Sequence, residues 1–348
     1  MNTELLQQVV QGFGIQAERA VFDPVKHGYI NDTFILKLDG KAAYVIQRIN
    51  HHVFQDPKKL QENIDKALKK LNGKDYLKID FLKSINGSTL FQIKNTFWRV
   101  MRYIPDSTVY NNTNDEIIAF EAGLLIGNFH KLMAGENVND YHVTITDFHS
   151  LKFRITQFQQ ALDYADHLTL MDAQEEVNFA FSTIPKFKDL DLSLLPHRVC
   201  HNDAKLNNML FDSQKKGLCM IDLDTIMPGY FHYDLGDAVR TVVNPASEDE
   251  TDLSQIEFRM DLYDSFMNGL KDSGLSLLNE EIKVMPLGIS YMPFLHGLRA
   301  LTDFLNGNIY YKVNYAEHNL DRAKNLFQFT KLAVEYNSIL TDKTQLFD

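Results

Sequence analysis

Val199 to Asp212 reads VCHNDAKLNNMLFD, and Leu218 to Gly229 reads LCMIDLDTIMPG. Each half is an apolar run that delivers polar residues to fixed positions. Val199-Cys200 leads into His201, Asp203 and Lys205, and Asn208 precedes the apolar Met209-Leu210-Phe211. Leu218 to Ile221 leads into Asp222 and Asp224. Between them DSQKKG, residues 212–217, is short and polar, as a turn between paired strands requires. Such pairing predicts that Asn208 and Asp222 lie close together. A carboxylate with an amide oxygen is a hard-oxygen donor set suited to Mg²⁺, with the remaining positions left to phosphates and water. Asp203 then stands just in front as an acceptor for a substrate proton. A lone HxD or IDxD carries little weight; two motifs at this separation, on strand-like segments, carry much more.

Upstream of this island the first hundred residues read mostly as strand. A helix is expected over Glu4 to Gly12, then strands over Tyr29 to Leu38 and Ala42 to Ile49, joined by a tight turn at Asp39-Gly40. Pro57 to about Leu71 has a helical period, with Leu60, Ile64, Ala67, Leu68 and Leu71 on one face. Two more strands follow, Thr89 to Ile93 and Thr96 to Tyr103. From Asn114 the chain turns helical: Glu116 to Met133, Phe153 to Leu168, Ala173 to Ile184, and beyond the island Asp234 to Val243, Glu257 to Leu270, Glu280 to Leu305 and Asn314 to Leu340. The change of character at Ile104-Pro105-Asp106 divides the chain into residues 1–104 and 105–348.

Composition narrows the function. At 348 residues the chain exceeds what one hydrophobic core usually serves, so two domains or lobes are expected. Its 35 Lys plus Arg against 46 Asp plus Glu give a net charge of -11, a field that repels a phosphate backbone and makes nucleic acid a poor partner. The N-terminus carries Glu and Gln where a signal peptide needs basic residues before an apolar core. The apolar stretch Met285 to Leu305 is interrupted by His296, Arg299 and Asp303, which argues for a buried helix with a polar stripe and against a membrane span. The two cysteines, Cys200 and Cys219, sit in apolar runs and read as buried, reduced thiols. A cytoplasmic protein without membrane attachment is the expectation.

The pattern H-x-D-x-x-x-x-N, the strand-borne I-D-x-D and the following YDLGD, residues 233–237, resemble the aminoglycoside phosphotransferase and choline kinase group. CHNDAKLNNMLFD, MIDLDTIMPG and YDLGDAVRT together are most similar to its N-acetylhexosamine 1-kinases. The resemblance implies an α+β, bilobal, protein-kinase-like fold, with a β-rich N-terminal nucleotide-binding lobe and a mainly helical C-terminal lobe holding the catalytic and substrate sites. It implies an ATP- and Mg²⁺-dependent kinase acting on the anomeric hydroxyl of N-acetylglucosamine or N-acetylgalactosamine. Asp203 matches the catalytic base and Lys205 a cation for the moving phosphoryl group. Asn208 and Asp222 match the metal ligands, while Asp224 either holds a second Mg²⁺ or caps the turn. His201 matches a structural residue beneath the catalytic loop, and Asp234 the helix acid that accepts hydrogen bonds from that loop, with Asp237 the weaker candidate.

The nucleotide lobe departs from the usual kinase pattern. The phosphate-covering turn falls at residues 27–34 with one glycine, Gly28, and with Asn31 and Thr33 as polar contacts. On the strand that normally carries a phosphate-binding lysine, Gln47 falls at the lysine position and Arg48 follows; alternation allows only one of them to face the cleft. Glu62 matches the helix acid that orients this strand residue, and the backbone near Arg102 and Ile104 matches the adenine-reading hinge. For the acceptor, the resemblance points to Arg299 and Tyr310. The acidic run SEDETD, residues 247–252, reads as a solvated loop. Choline, homoserine, another sugar or an aminoglycoside remain alternative acceptors, and a nucleotide-binding pseudokinase is the non-enzymatic alternative.

Overall fold

The computed structural model describes residues 3–17, 20–25, 30–188, 192–344 and 347, so the expectation for Gly28 lies outside the described residues. A mixed α+β architecture results, β-rich in its N-terminal region and helical in its C-terminal region. Helix α1 (Thr3–Gly12) precedes strands β1 (Val21–Pro24), β2 (Asp32–Leu38) and β3 (Lys41–Ile49). Asp39 and Gly40 both take positive φ, 49° and 79°, closing the β2–β3 hairpin as the Asp-Gly pair predicts. Helix α2 (Pro57–Ala67) starts on the Asp56 side chain, which accepts from the N–H groups of Lys58 and Lys59. It ends four residues short of the expected Leu71. Strands β4 (Phe91–Ile93) and β5 (Thr96–Arg102) complete an antiparallel sheet in the order β1-β2-β3-β5-β4. Strand β1 escaped the sequence reading because four residues at a sheet edge show no period.

The two faces of this sheet go to different places. Phe34, Leu36, Ile46, Trp98 and Val100 bury one face against Leu6, Val9 and Val10 of α1. Ile49, Phe97 and Met101 turn the other way, toward the core that α2 shares with residues 199–226. Gln47 and Arg99 are register partners on this second face, and Arg48 is paired with Trp98 on the first.

Strand β6 (Ser107–Thr108) leads to helices α3 (Glu116–Met133), α4 (Leu151–Tyr164), α5 (His167–Asp172) and α6 (Gln174–Lys188). The expected helix through Leu168 is split because Asp166 caps a new one, accepting from Leu168 N–H and Thr169 N–H. Next come strands β7 (Arg198–Cys200), β8 (Met209–Asp212), β9 (Gly217–Met220) and β10 (Met227–Gly229). Strands β8 and β9 pair directly, β6 adds to β8, and β7 pairs β10. Helices α7 (Phe231–Val242), α8 (Met260–Asp272), α9 (Asn279–Leu305), α10 (His318–Glu335) and α11 (Asn337–Thr344) close the chain, so the expected helix from Asn314 to Leu340 breaks at Tyr336. Among the described residues no helix is long and apolar enough to cross a membrane.

Helices α3 and α8 cross in backbone contact at two glycines. A Cβ on Gly123 would stand 1.9 Å from the Phe266 carbonyl oxygen, and one on Gly269 1.9 Å from that of Phe120. Forcing a methyl into such a contact costs about 1–3 kcal/mol. Gly123→Ala and Gly269→Ala are therefore each expected to lower the thermal midpoint by several degrees. Gly135→Ala, with nothing within 4 Å of the added carbon, serves as the neutral control. Equal midpoints for all three variants would refute the close crossing.

Candidate active site

The loop expected to be catalytic is hung from one buried carboxylate. Asp234, fully buried on α7, accepts from His201 N–H at 2.8 Å through Oδ2 and from Asn202 N–H at 2.7 Å through Oδ1. His130 Nε2 lies 3.0 Å from the same carboxylate. These bonds hold Asn202 in the left-handed region, φ 62°, a conformation costly for a residue with a side chain unless its surroundings fix it. Its side-chain amide in turn donates to the carbonyls of Thr225 and Met227, each at 3.1 Å. His201 is buried, and its Nε2 donates to the Ile221 carbonyl at 2.9 Å, so its ring ties the two motif halves together. Cys200 shares this interior, and burial pushes its thiol well up; burial likewise pushes Cys219 up to about 12.

Pairing of β8 with β9 continues through Ile221 N–H to the Asn208 carbonyl, 2.8 Å. Asn208 donates its side-chain amide to the Asp203 carbonyl and to Asp203 Oδ2, both at 2.8 Å. Lys205 Nζ approaches the same Oδ2 at 3.2 Å. Burial works against the Lys205 charge, but Asp203, Glu248, Asp237 and Asp222 more than offset it and hold the ammonium above its ordinary range. Asp222 opens to the cleft in a left-handed conformation, φ 60°. Desolvation by the surrounding protein, then the charges of Asp224 and Asp203, raise its carboxyl well above the usual carboxylate range. Asp224 is buried and already engaged: Arg99 Nη1 lies 2.5 Å from Oδ1, and Asn31 Nδ2 donates to Oδ2 at 2.5 Å.

On the nucleotide side, Gln47 and Thr33 face the cleft together, Gln47 Nε2 donating to Thr33 Oγ1 at 3.3 Å. Arg48 does not join them. Strand alternation sends it to the opposite face, where it pairs with Asp32 on a side more than a third exposed. Glu62 is exposed, with His142 Nε2 at 3.1 Å, while the hydrogen bonds of Gln47 go to Thr33 and Arg99; α2 is fastened by Asn63, whose Nδ2 donates to the carbonyls of His142 and Ile226. The Arg102 N–H is taken by the Asp80 carbonyl at 2.9 Å, and the Ile104 carbonyl accepts Ser107 Oγ at 2.6 Å.

On the acceptor side, the polar stripe of α9 divides. His296 turns to Asp237 at 3.2 Å, and Asp303 accepts the N–H groups of Tyr310 and Tyr311 at 2.8 and 2.9 Å. Arg299 keeps its guanidinium among the rings of Phe148, Tyr310 and Tyr311, 5.2, 5.9 and 5.8 Å from their centroids. Burial disfavours its charge, but Tyr311, Tyr310 and Asp203 hold its pKa up. The acidic run is not a free solvated loop. Glu248 pairs with Arg240, Asp249 meets Arg322 and His318 at 2.6 and 3.0 Å, and Asn325 donates to the Ser247 and Glu250 carbonyls. Arg322, His318 and Asn325, far along the sequence, help hold it down, and the local composition could not reveal them.

Residues 21–263 match the phosphotransferase enzyme family. The chain belongs to that family. Solved structures agree with the fold across nearly the whole chain. Spectinomycin phosphotransferase, in complex with ADP and spectinomycin, superposes with a TM-score of 0.64 at 14% identity, covering 99% of each chain. A microcompartment-associated aminopropanol kinase gives 0.66 at 13% identity, covering 98% of this chain and 99% of that one. Choline kinase from Streptococcus pneumoniae gives 0.58 at 13% identity, covering 94% and 98%.

Several residues that shape the phosphotransferase site went unremarked in the sequence. Arg99 is the clearest, one of two arginines in the strand TFWRVMR, and alternation places it beside Gln47. Thr241 Oγ1 accepts the Leu206 N–H at 2.9 Å, and His149 Nε2 donates to the Asn202 carbonyl at 2.9 Å. Burial, with His296 nearby, pushes His149 down to about 3, and burial alone does the same to His232. A histidine neutral in the native state and protonated when unfolded favours unfolding as pH falls below its ordinary value. From pH 6.5 to 5, stability should fall by at most about 1.4 kcal/mol per pH unit for each such histidine, against the opposite contribution of the raised Asp222 carboxyl. His149→Gln is expected to flatten that slope by one histidine's share in denaturant titrations. An unchanged slope would show that His149 titrates normally in the folded protein.

Proposed function

We propose that this phosphotransferase is an ATP- and Mg²⁺-dependent kinase of N-acetylhexosamines, forming the 1-phosphate of N-acetylglucosamine or N-acetylgalactosamine. For the acceptor, the carrying observation is Arg299, a guanidinium set among three aromatic rings and electrostatically coupled to Asp203. A sugar offers hydroxyl and acetamido oxygens to a guanidinium and an apolar ring face to tyrosine. A quaternary ammonium or polyamine would meet a like charge instead. In the acidic run that might have caged a polyamine, Glu248 is paired with Arg240 and Asp249 with Arg322.

With Oδ2 of Asp203 taken by Asn208 and Lys205, its Oδ1 is the oxygen left for the acceptor hydroxyl. In this reading Asp203 orients that hydroxyl and takes its proton as the new O–P bond forms and the bond from the γ-phosphorus to the ADP oxygen breaks, while Lys205 neutralises charge on the transferring group. The donor set fits Mg²⁺: Asn208 donates through nitrogen and so has its amide oxygen to offer, and Asp222 is a carboxylate crowded by like charges. Bound there with the nucleotide, the metal would neutralise phosphate charge. Asp224, engaged by Arg99 and Asn31, serves first as a fastening of the N-terminal sheet to the catalytic strands. Ile104 is the better hinge candidate, because the Arg102 N–H is already bonded. Retention of Asp203, Lys205, Asn208 and Asp222 together favours an enzyme over a pseudokinase.

ADP release with Mg-ATP, measured over N-acetylglucosamine, N-acetylgalactosamine, glucose, choline, homoserine and spectinomycin, tests the assignment. N-acetylhexosamines are expected to be turned over best; turnover confined to another acceptor would replace them, and none at all despite ATP binding would support the pseudokinase. Asp203→Asn should abolish turnover while ATP still binds, and undiminished turnover would remove Asp203 as the base. Asp222→Ala should weaken Mg-ATP binding in calorimetry; unchanged affinity would remove its metal role.

A further inference from the structure

The negative cleft poses a problem that the usual kinase lysine would solve. Asp203, Asp222 and Asp224 gather there, and the strand position that would bring a balancing cation from the N-terminal sheet is Gln47. Arg48, the other candidate on β3, points to the opposite face and is paired with Asp32. Arg99 lies on the neighbouring strand directly across from Gln47. Its side chain is 2% exposed, its Nε donates to Gln47 Oε1 at 2.9 Å, and its plane rests 5.5 Å from the Phe81 ring centroid. Its Nη1 reaches across to Asp224, only two residues beyond Asp222.

We propose that Arg99 is the phosphate-binding cation of the nucleotide site, moved one strand over from the usual position and aimed by Gln47. The proposal deepens the kinase reading and rests on it. A glutamine oxygen on β3 has no charge for a phosphate, but it accepts the guanidinium Nε and leaves Nη1 buried against Asp224. In the ligand-free protein an Nη group meets the Asp224 carboxylate. A nucleotide phosphate is the anion that replaces this partner, and the Asp224 carboxylate is then released toward the divalent cation that accompanies the nucleotide. The exchange trades one ion pair for another, so the guanidinium is never left buried without a counter-charge, an arrangement that would be strongly unfavourable.

Calorimetry of Mg-ADP and of adenosine on the full chain separates this from its rivals. Arg99→Met is expected to weaken Mg-ADP by about tenfold or more, the loss of a charge-assisted contact, while adenosine binding stays within about twofold. Arg99→Lys should fall between. Gln47→Lys combined with Arg99→Met, which returns a cation to β3, should recover most of the affinity. A folded Arg99→Met protein that binds Mg-ADP within about twofold of the parent, or loses adenosine in parallel, overturns the assignment. Should Arg99→Met fail to fold because Asp224 is left buried and unpaired, the double variant decides. Recovered affinity supports the proposal, and a folded double variant still weakened tenfold overturns it. A parent protein that binds neither ligand removes the kinase reading itself, and this assignment with it.

Discussion

The loop that carries Asp203 depends on one buried carboxylate. Asp234 lies at the first turn of α7, fully buried, and accepts two successive amides of the loop ahead of Asp203. Backbone N–H groups are obligatory donors, and leaving two of them buried without acceptors would cost several kcal/mol. The loop therefore has one low-energy position, set by α7. From there Asn202 is held left-handed, His201 spans to Ile221, and Asp203 and Asn208 fall into mutual contact. Rigid placement of this kind is the main thing a protein contributes to phosphoryl transfer, which asks little covalent chemistry of it.

Charge balance is the second organising principle. The -11 overall charge is not spread evenly over indifferent surface. Around the catalytic loop the acids are individually answered: Asp203 by Lys205, Asp224 by Arg99, Asp237 and Glu248 by Arg240, Asp249 by Arg322. Asp222 stands apart, crowded by Asp224 and Asp203 and open to the cleft. An acid held in this way seeks a cation, which is the electrostatic basis for expecting a divalent ion beside Asn208. Around the proposed acceptor site the sign reverses, with Arg299 and Arg154 bordering the tyrosines of the α9–α10 connection.

Local motifs made much of this readable. The strand-turn-strand signal of residues 199–229 placed Asn208 beside Asp222, and Asp-Gly at 39–40 located its hairpin. What resisted reading was non-local. Whether Gln47 or Arg48 faces the cleft depends on which side of the sheet α1 covers. Arg99 is one cation in an apolar strand until its register against β3 is known. Asp224 could equally have bound a metal or fastened a turn, because its partners come from β5 and from Asn31, far away in the chain. The acidic run 247–252 has the composition of a solvated loop and is tethered by residues about 70 positions later. Helix interruptions at Asp166 and Tyr336 were missed since the apolar period continues past them.

The two cysteines carry a practical consequence. Both are buried, and their surroundings disfavour the thiolate, the form that reacts with electrophiles. The native chain is therefore close to silent toward maleimide dyes. One engineered surface cysteine on the β-sheet and another on the helical region would be the reactive pair, with no native thiol to delete first. Fluorescence energy transfer between them would read the separation of the two regions as nucleotide and acceptor bind.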